Sequence, residues 1–187
     1  MSNLKASGTN PAMAVQARQP KTLQASGRSA ESSARVVADL SSDYVVRASE
    51  QIVRLDPQQR IDIIRRGIQA ASVGRLSARM GLSKELLINS LRLSRATINR
   101  KERESALLSS DESERVLGVE ALIGIVQTMV EESGDPEGFD APLWLGTWLS
   151  EPLPALAGAT PASYLDTFEG QKLVADLLAM CQSGAYA

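Results

Sequence analysis

The residues of this chain best suited to chemistry lie between positions 94 and 103, where hydroxyl, amide and basic side chains follow one another closely. Hydroxyl and amide groups can hydrogen-bond to base edges or phosphates, and Arg and Lys side chains neutralise phosphates. These residue types in one short segment favour a surface that contacts DNA. The candidate DNA-binding residues are Ser94, Arg95, Thr97, Asn99, Arg100, Lys101 and Arg103.

A predicted helix-turn-helix would position these side chains. Ser83 can cap a short apolar helix, and Ser94 can cap a second, basic helix after a tight turn at 92–93. The turn position that is usually glycine is Arg92, where a left-handed backbone would cost about 1–2 kcal/mol. A helical hairpin with a solvated charged face is the alternative interpretation.

The net charge of the chain changes sign at the end of this segment. Residues 1–103 contain 18 Lys and Arg against 8 Asp and Glu, a net of +10, whereas residues 104–187 contain 2 against 14, a net of −12. This polarity indicates two surfaces with two partners, of which a polyanion is a candidate for the basic one.

The residue types and motifs that the sequence lacks exclude several classes of enzyme and metal site. The chain has no histidine, and neither GxxxxGK[ST] nor GxGxxG occurs in it, which removes imidazole catalysis, most zinc sites and the recognisable phosphate loops. The sequence therefore predicts no enzyme, no catalytic residue, no cofactor and no metal site. Cys181 is the only cysteine, and we find no secretory signal or membrane-length apolar run, so the sequence predicts a cytoplasmic protein with no membrane partner.

The residue pattern of the N-terminal third predicts a flexible arm followed by helices. Residues 1–30 carry four basic side chains and no acid, which indicates a flexible basic arm, or else a tail of no consequence. No Gly or Pro interrupts 31–55, where apolar residues recur at helical spacing. Asp56 and Pro57 begin the next helix. Its inward residues are expected to be Ile61, Ile64 and Ile68.

The residue pattern of the C-terminal half predicts a long helix followed by shorter ones. Ser109 and Glu112 form a capping box that opens a helix to about residue 132. Its apolar arc is so broad that the helix is either central to the core or paired with another chain, and the small residues Gly118, Ala121 and Gly124 leave both interpretations open. A tryptophan-containing helix, expected to be core, follows at 142–149, and Thr160 and Pro161 start a further helical turn. The last helix begins at 166 with an expected buried face of Leu173, Val174, Leu177, Leu178 and Cys181.

From position 144 onward the sequence contains three ordered motifs: a proline-rich loop, a Thr-Pro step that ends in Leu-Asp-Thr, and a final helix with the pattern G-x-x-x-V-x-x-L-L. The residues of these motifs are Pro154, Leu156, Gly158, Thr160, Pro161, Leu165, Asp166, Thr167, Gly170, Val174, Leu177 and Leu178. In this order they resemble the toxin-binding C-terminal domain of Xre/MbcA/ParS-type antitoxins, whose step typically reads T-P-x-x-L-L-D-T.

The segment before this domain resembles the family's Xre-like helix-turn-helix, which is followed by an L-S-x-x-E-S-x-R pattern. That pattern is present as Leu108, Ser109, Glu112, Ser113 and Arg115. The resemblance covers about residues 57–187. It implies an all-α protein with an Xre-like helix-turn-helix followed by a small helical toxin-binding domain. Together with the basic arm predicted from composition, this gives a flexible arm (1–30), N-terminal helices and the helix-turn-helix (31–107), and the toxin-binding domain (108–187).

The resemblance also implies a function. Such an antitoxin neutralises a RES-domain toxin, an enzyme that consumes NAD or uses it for ADP-ribosylation, by blocking the NAD site with its C-terminal domain. It also represses its own promoter by binding operator DNA, and it commonly dimerises and forms a hetero-oligomer with the toxin.

The end of the chain suggests how the block would work. We expect Tyr186 to fill an apolar slot of the toxin and the terminal carboxylate to meet a toxin arginine. The candidate toxin-binding residues are Ser183, Gly184, Ala185, Tyr186 and Ala187. The alternative is a stand-alone helix-turn-helix repressor whose C-terminal domain only dimerises.

Overall fold

A computed structural model of the protein describes residues 55–134 and 136–182. These residues form seven α-helices and two short 3-10 helices, with no β-strand among them, which confirms the predicted all-α fold. The arm, the predicted helix up to residue 54 and the tail at 183–187 lie outside the described residues. The α-helices are α1 (Pro57–Arg66), α2 (Ser72–Arg79), α3 (Lys84–Ser90), α4 (Arg95–Arg103), α5 (Ser110–Ser133), α6 (Ala141–Ser150) and α7 (Phe168–Gln182).

Four helices start where the sequence predicts a cap. The side chains of Asp56, Ser83, Ser94 and Ser109 each accept a hydrogen bond from a backbone N–H three residues on, at the start of α1, α3, α4 and α5. Capping boxes are complete at α1 and at α5. A side-chain acceptor at this position satisfies one of the free N–H groups of the first turn, so each cap fixes where its helix begins.

The predicted inward face of α1 is partly wrong. Ile61 is 44% exposed, Ile63 takes the buried position instead, and Ile68 is buried but lies beyond the helix. The helix ends because Gly67 adopts a φ of 82°. A Cβ at Gly67 would lie 2.4 Å from the carbonyl oxygen of Leu108, so a glycine is needed for the close approach of these two chain segments.

Helix α5 is the centre of the molecule. It packs against α1, α6 and α7 and buries Val116, Val119, Ile123 and Val126. A Cβ at Gly118 would lie 1.7 Å from Oε1 of Gln171, so this small residue is used for packing within the chain. One continuous cluster of buried side chains runs from α1 to α7, and so both halves of the described chain share a core.

The C-terminal elements correct three further predictions. Trp144 is 39% exposed, and Leu173 and Cys181 on α7 are exposed as well. The buried positions of α6 are Ala141, Leu145, Gly146 and Leu149, which lie on the side facing α5 and the end of α2. Two 3-10 helices, Pro154–Leu156 and Pro161–Tyr164, fill the connection to α7, so the turn predicted at Thr160 is 3-10. No helix within 55–134 and 136–182 is long and apolar enough to cross a membrane.

Candidate functional site

Helix α4 presents a basic face to solvent. Arg95, Asn99, Arg100 and Arg103 are exposed, while Ile98 on the opposite side is fully buried and anchors the helix. Successive members of this set are four, one and three positions apart, which brings the side chains onto adjoining turns. The structure therefore brings four of the predicted site residues together on one exposed surface, which we call the α4 face.

Two arginines of the α4 face form ion pairs at the surface. Nη1 of Arg95 lies 2.7 Å from a carboxylate oxygen of Glu85, and Nη1 of Arg100 lies 2.7 Å from one of Glu104. Each of the four side chains is more than half exposed. Exposed pairs of this kind contribute about 0–1 kcal/mol, so either guanidinium can exchange its carboxylate for a phosphate at little cost.

Lys101 points away from the α4 face. Its side chain is 16% exposed and its Nζ lies 2.5 Å from Oε2 of Glu112, in the capping box of α5. Burial alone would raise the pKa of Glu112, but the hydrogen bonds from Lys101 and from the Ser109 N–H hold that pKa below its ordinary value. Lys101 would have to leave this pair to reach a phosphate, and its position instead ties α4 to α5.

The hydroxyl and amide residues of the site are partly engaged. Oγ of Ser94 accepts a hydrogen bond from the Thr97 N–H at 3.4 Å. Oδ1 of Asn99 accepts one from Nζ of Lys84 at 3.1 Å, and the same ammonium also pairs with Glu102. Ser94 and Asn99 are exposed and Thr97 is half-buried. Lys84 is a basic neighbour that the sequence pattern did not reveal.

The turn of the helix-turn-helix is held by Arg115 of α5. Arg92 adopts the left-handed conformation with a φ of 48°, as its place in the turn predicts. Nη1 of Arg115 donates to the carbonyl oxygens of Leu91 at 2.7 Å and of Arg92 at 3.2 Å. These bonds satisfy the carbonyls that the turn leaves open. The sequence pattern around Arg115 was visible, but its contact with a turn 23 residues away was not.

The same turn contacts the C-terminal elements. Nε of Arg92 lies 2.9 Å from Oδ2 of Asp166, and Nε2 of Gln171 donates to the carbonyl oxygens of Arg115 at 3.0 Å and of Leu165 at 2.8 Å. Gln171 is a buried polar residue whose bonds are therefore made across the junction of α5 and α7. These contacts join the turn of the helix-turn-helix to the C-terminal elements.

Three aromatic side chains meet on the acidic half of the chain, of which Trp144 is exposed while Phe139 and Trp148 are half-buried against the core. Trp144 stacks on Trp148 with ring centroids 6.2 Å apart, and Phe139 lies 6.1 Å from Trp144. Leu143 beside them is 49% exposed. Aromatic residues that reach the surface, as Trp144 does, are enriched at protein interfaces. The candidate toxin-binding residues Ser183 to Ala187 lie outside the described residues, directly after α7.

Comparisons with known proteins match both halves of this arrangement. Residues 59–119 match the family described as the antitoxin Xre-like helix-turn-helix domain, and residues 137–184 match the antitoxin Xre/MbcA/ParS C-terminal toxin-binding domain. The chain is also 44% identical over 140 residues to a Prs ADP-ribosylating antitoxin of Sphingobium sp. (strain YBL2). That alignment covers 75% of this chain and 88% of the relative.

Proposed function

Because the chain belongs to the Xre/MbcA/ParS antitoxin family, we propose that it neutralises a RES-type toxin and represses its own operon. Its toxin-binding domain implies a toxin partner, and its helix-turn-helix domain implies DNA binding. Together they suggest a regulator that is not itself an enzyme. We further propose that the chain has no catalytic activity. We also propose that it works in the cytoplasm, because its operator DNA and its toxin must be in the same compartment.

The proposed toxin uses NAD. The observation that carries this proposal is the similarity to the Sphingobium relative, which is named for ADP-ribosylation and is covered over 88% of its length. Transfer of ADP-ribose takes NAD as its donor, so an antitoxin in such a system can act by keeping NAD out. The NAD pocket of a toxin must accept two phosphates, which favours a cationic site that an acidic partner would approach readily.

The proposed blocking element is the tail that follows α7. Val174 and Leu178 of α7 are fully buried against the core, whereas Met180 and Cys181 in its last turn are exposed. The helix is therefore anchored by its middle, and its end reaches the surface where 183–187 begin. Tyr186 would fill an apolar slot of the toxin, and its neighbours in 183–187 would place the ring there.

The proposed operator contact is the α4 face. Arg95, Arg100 and Arg103 would neutralise phosphates, and Thr97 and Asn99 would reach base edges or phosphates. Ser94 would set the start of the recognition helix, and Lys101 would hold that helix on α5. We further propose a homodimer, because helix-turn-helix proteins bind two half-sites about one helical turn apart.

Rescue of growth in cells that express the neighbouring toxin tests the tail. Residues 183–187 are replaced by Ser-Gly-Ser-Gly-Ser, which keeps the length of the segment but removes Tyr186. The full chain should restore growth and the replaced tail should fail to do so, with an unchanged melting temperature. Full rescue by the replaced tail would contradict the role of Tyr186, and rescue by a chain ending at residue 182 would assign inhibition to the folded surface.

The same cells distinguish an antitoxin from a stand-alone repressor. A tagged full chain should co-purify with the product of the adjacent reading frame. A chain that binds its promoter but retains no such product, and that fails to restore growth, would identify a repressor and contradict the proposal.

A further inference from the structure

An apolar groove runs along the surface where α1, α5 and α7 meet. Its volume is about 500 Å³, and small half-buried residues, Gly118, Ala121 and Ala175, line its inner part. Two large apolar side chains at its edges remain open to solvent, Ile61 at 44% and Phe168 at 68%. A strip of small residues between large ones is the shape into which the side-chain ridge of another helix fits.

We propose that the chain's own residues 37–54 occupy this groove as an amphipathic helix. No Gly or Pro occurs between 31 and 54, and the apolar side chains recur every three or four positions. On a helix they would form one stripe, with Asp39, Asp43 and Glu50 on the opposite side. The stripe consists of Val37, Leu40, Tyr44, Ala48 and Ile52.

The place where this segment joins the structure favours the groove as its destination. Leu55 is itself one of the residues that line the groove, and Asp56 caps α1 directly after it. The connection between this segment and α1 is therefore only a few residues long, and a connection this short favours antiparallel neighbouring helices. An 18-residue helix would span about 27 Å, which is enough to run along α1 and reach α7.

The short connection also favours the segment of the same chain over that of a second copy. A tether of a few residues gives the segment an effective concentration in the millimolar range at the groove, far above that of a separate molecule. Because the groove is shared by α1 and α7, the docked helix would hold the first helix of the DNA-binding domain against the last helix of the toxin-binding domain.

Hydrogen–deuterium exchange on the full chain tests this inference. Amides of 37–54 should exchange at least about tenfold more slowly than those of 1–30. Leu40→Glu, in the stripe, and Ile61→Glu, at the groove edge, should each abolish that difference. Ser42→Glu is the matched control, because its position lies toward the opposite side of the predicted helix, and it should leave the protection in place. Exchange of α5 amides reports whether each variant is folded.

Four results would overturn the inference. Rapid exchange of 37–54 in the unaltered chain would mean that no helix is docked. Protection that survives Ile61→Glu would put the helix elsewhere. An equal loss of amide protection in Ser42→Glu would show that docking does not depend on the apolar stripe. Protection that rises over a hundredfold increase in protein concentration would assign the groove to a second copy of the chain.

Discussion

The salt dependence of operator binding should depend on the arginines of the α4 face. Each phosphate contact contributes about −0.9 to the slope of log K against log salt concentration. Replacing Arg95, Arg100 and Arg103 together by alanine should therefore reduce the slope by about 2.7 for each protomer bound, so that the fall in affinity from 50 to 200 mM salt becomes about 40-fold smaller per protomer. Affinity at low salt should also fall, because Glu85 and Glu104 lose their partners and then repel the DNA.

Lys101→Ala is the matched control for this measurement. It removes one positive charge from the same helix, but its ammonium lies on Glu112 rather than on the α4 face. We expect an unchanged slope and a loss of about 1–2 kcal/mol in the free energy of unfolding, because Glu112 is left without its main partner. Binding can be measured by fluorescence anisotropy with the chain's own promoter. Unchanged slopes in the triple variant, or an equal change in Lys101→Ala, would refute this account of the DNA contact.

Three further predictions concern the contacts that hold the two halves together. Gly118→Ala should lower the free energy of unfolding by about 2–4 kcal/mol in a denaturant titration, because the new methyl group displaces Gln171 and breaks its hydrogen bonds; an unchanged value would contradict this packing. Arg92→Gly should be more stable than Arg92→Ala by about 1 kcal/mol, because glycine accepts the left-handed φ and both variants lose the contact with Asp166; equal melting temperatures would argue against strain at this turn. The pKa of Glu112 is lowered in the folded chain, so its contribution to stability is present above the unfolded value of about 4.3 and is lost as the pH falls through the lower folded pKa. Glu112→Gln should therefore show a smaller loss of stability on acidification than the unaltered chain, and parallel curves would refute the linkage.

The features predictable from the sequence are those decided by neighbouring residues. The caps at Asp56, Ser83, Ser94 and Ser109 are each formed by a side chain and a backbone group three positions away, so local sequence specifies them. Helix α2 was missed because its N-cap, Ala71, makes no side-chain hydrogen bond to mark the start.

The features that the sequence did not reveal depend on distant partners. Ile61 and Trp144 belong to apolar patterns, but whether a neighbouring element covers them is decided by the packing of α1 and α6 on α5. Lys101 resembles any other basic residue of α4 until Glu112, 11 positions away, is placed against it. The role of Arg115 similarly depends on the turn carbonyls of α3, to which no local pattern connects it.

We propose above that this chain keeps NAD out of a toxin. Its most direct test is NAD turnover by the purified toxin from the adjacent reading frame, measured at increasing amounts of the full chain and of the chain ending at residue 182. The full chain should abolish turnover at stoichiometric amounts, whereas the shorter chain should still bind the toxin but leave turnover largely intact. Undiminished turnover in the presence of saturating full chain would contradict the claim.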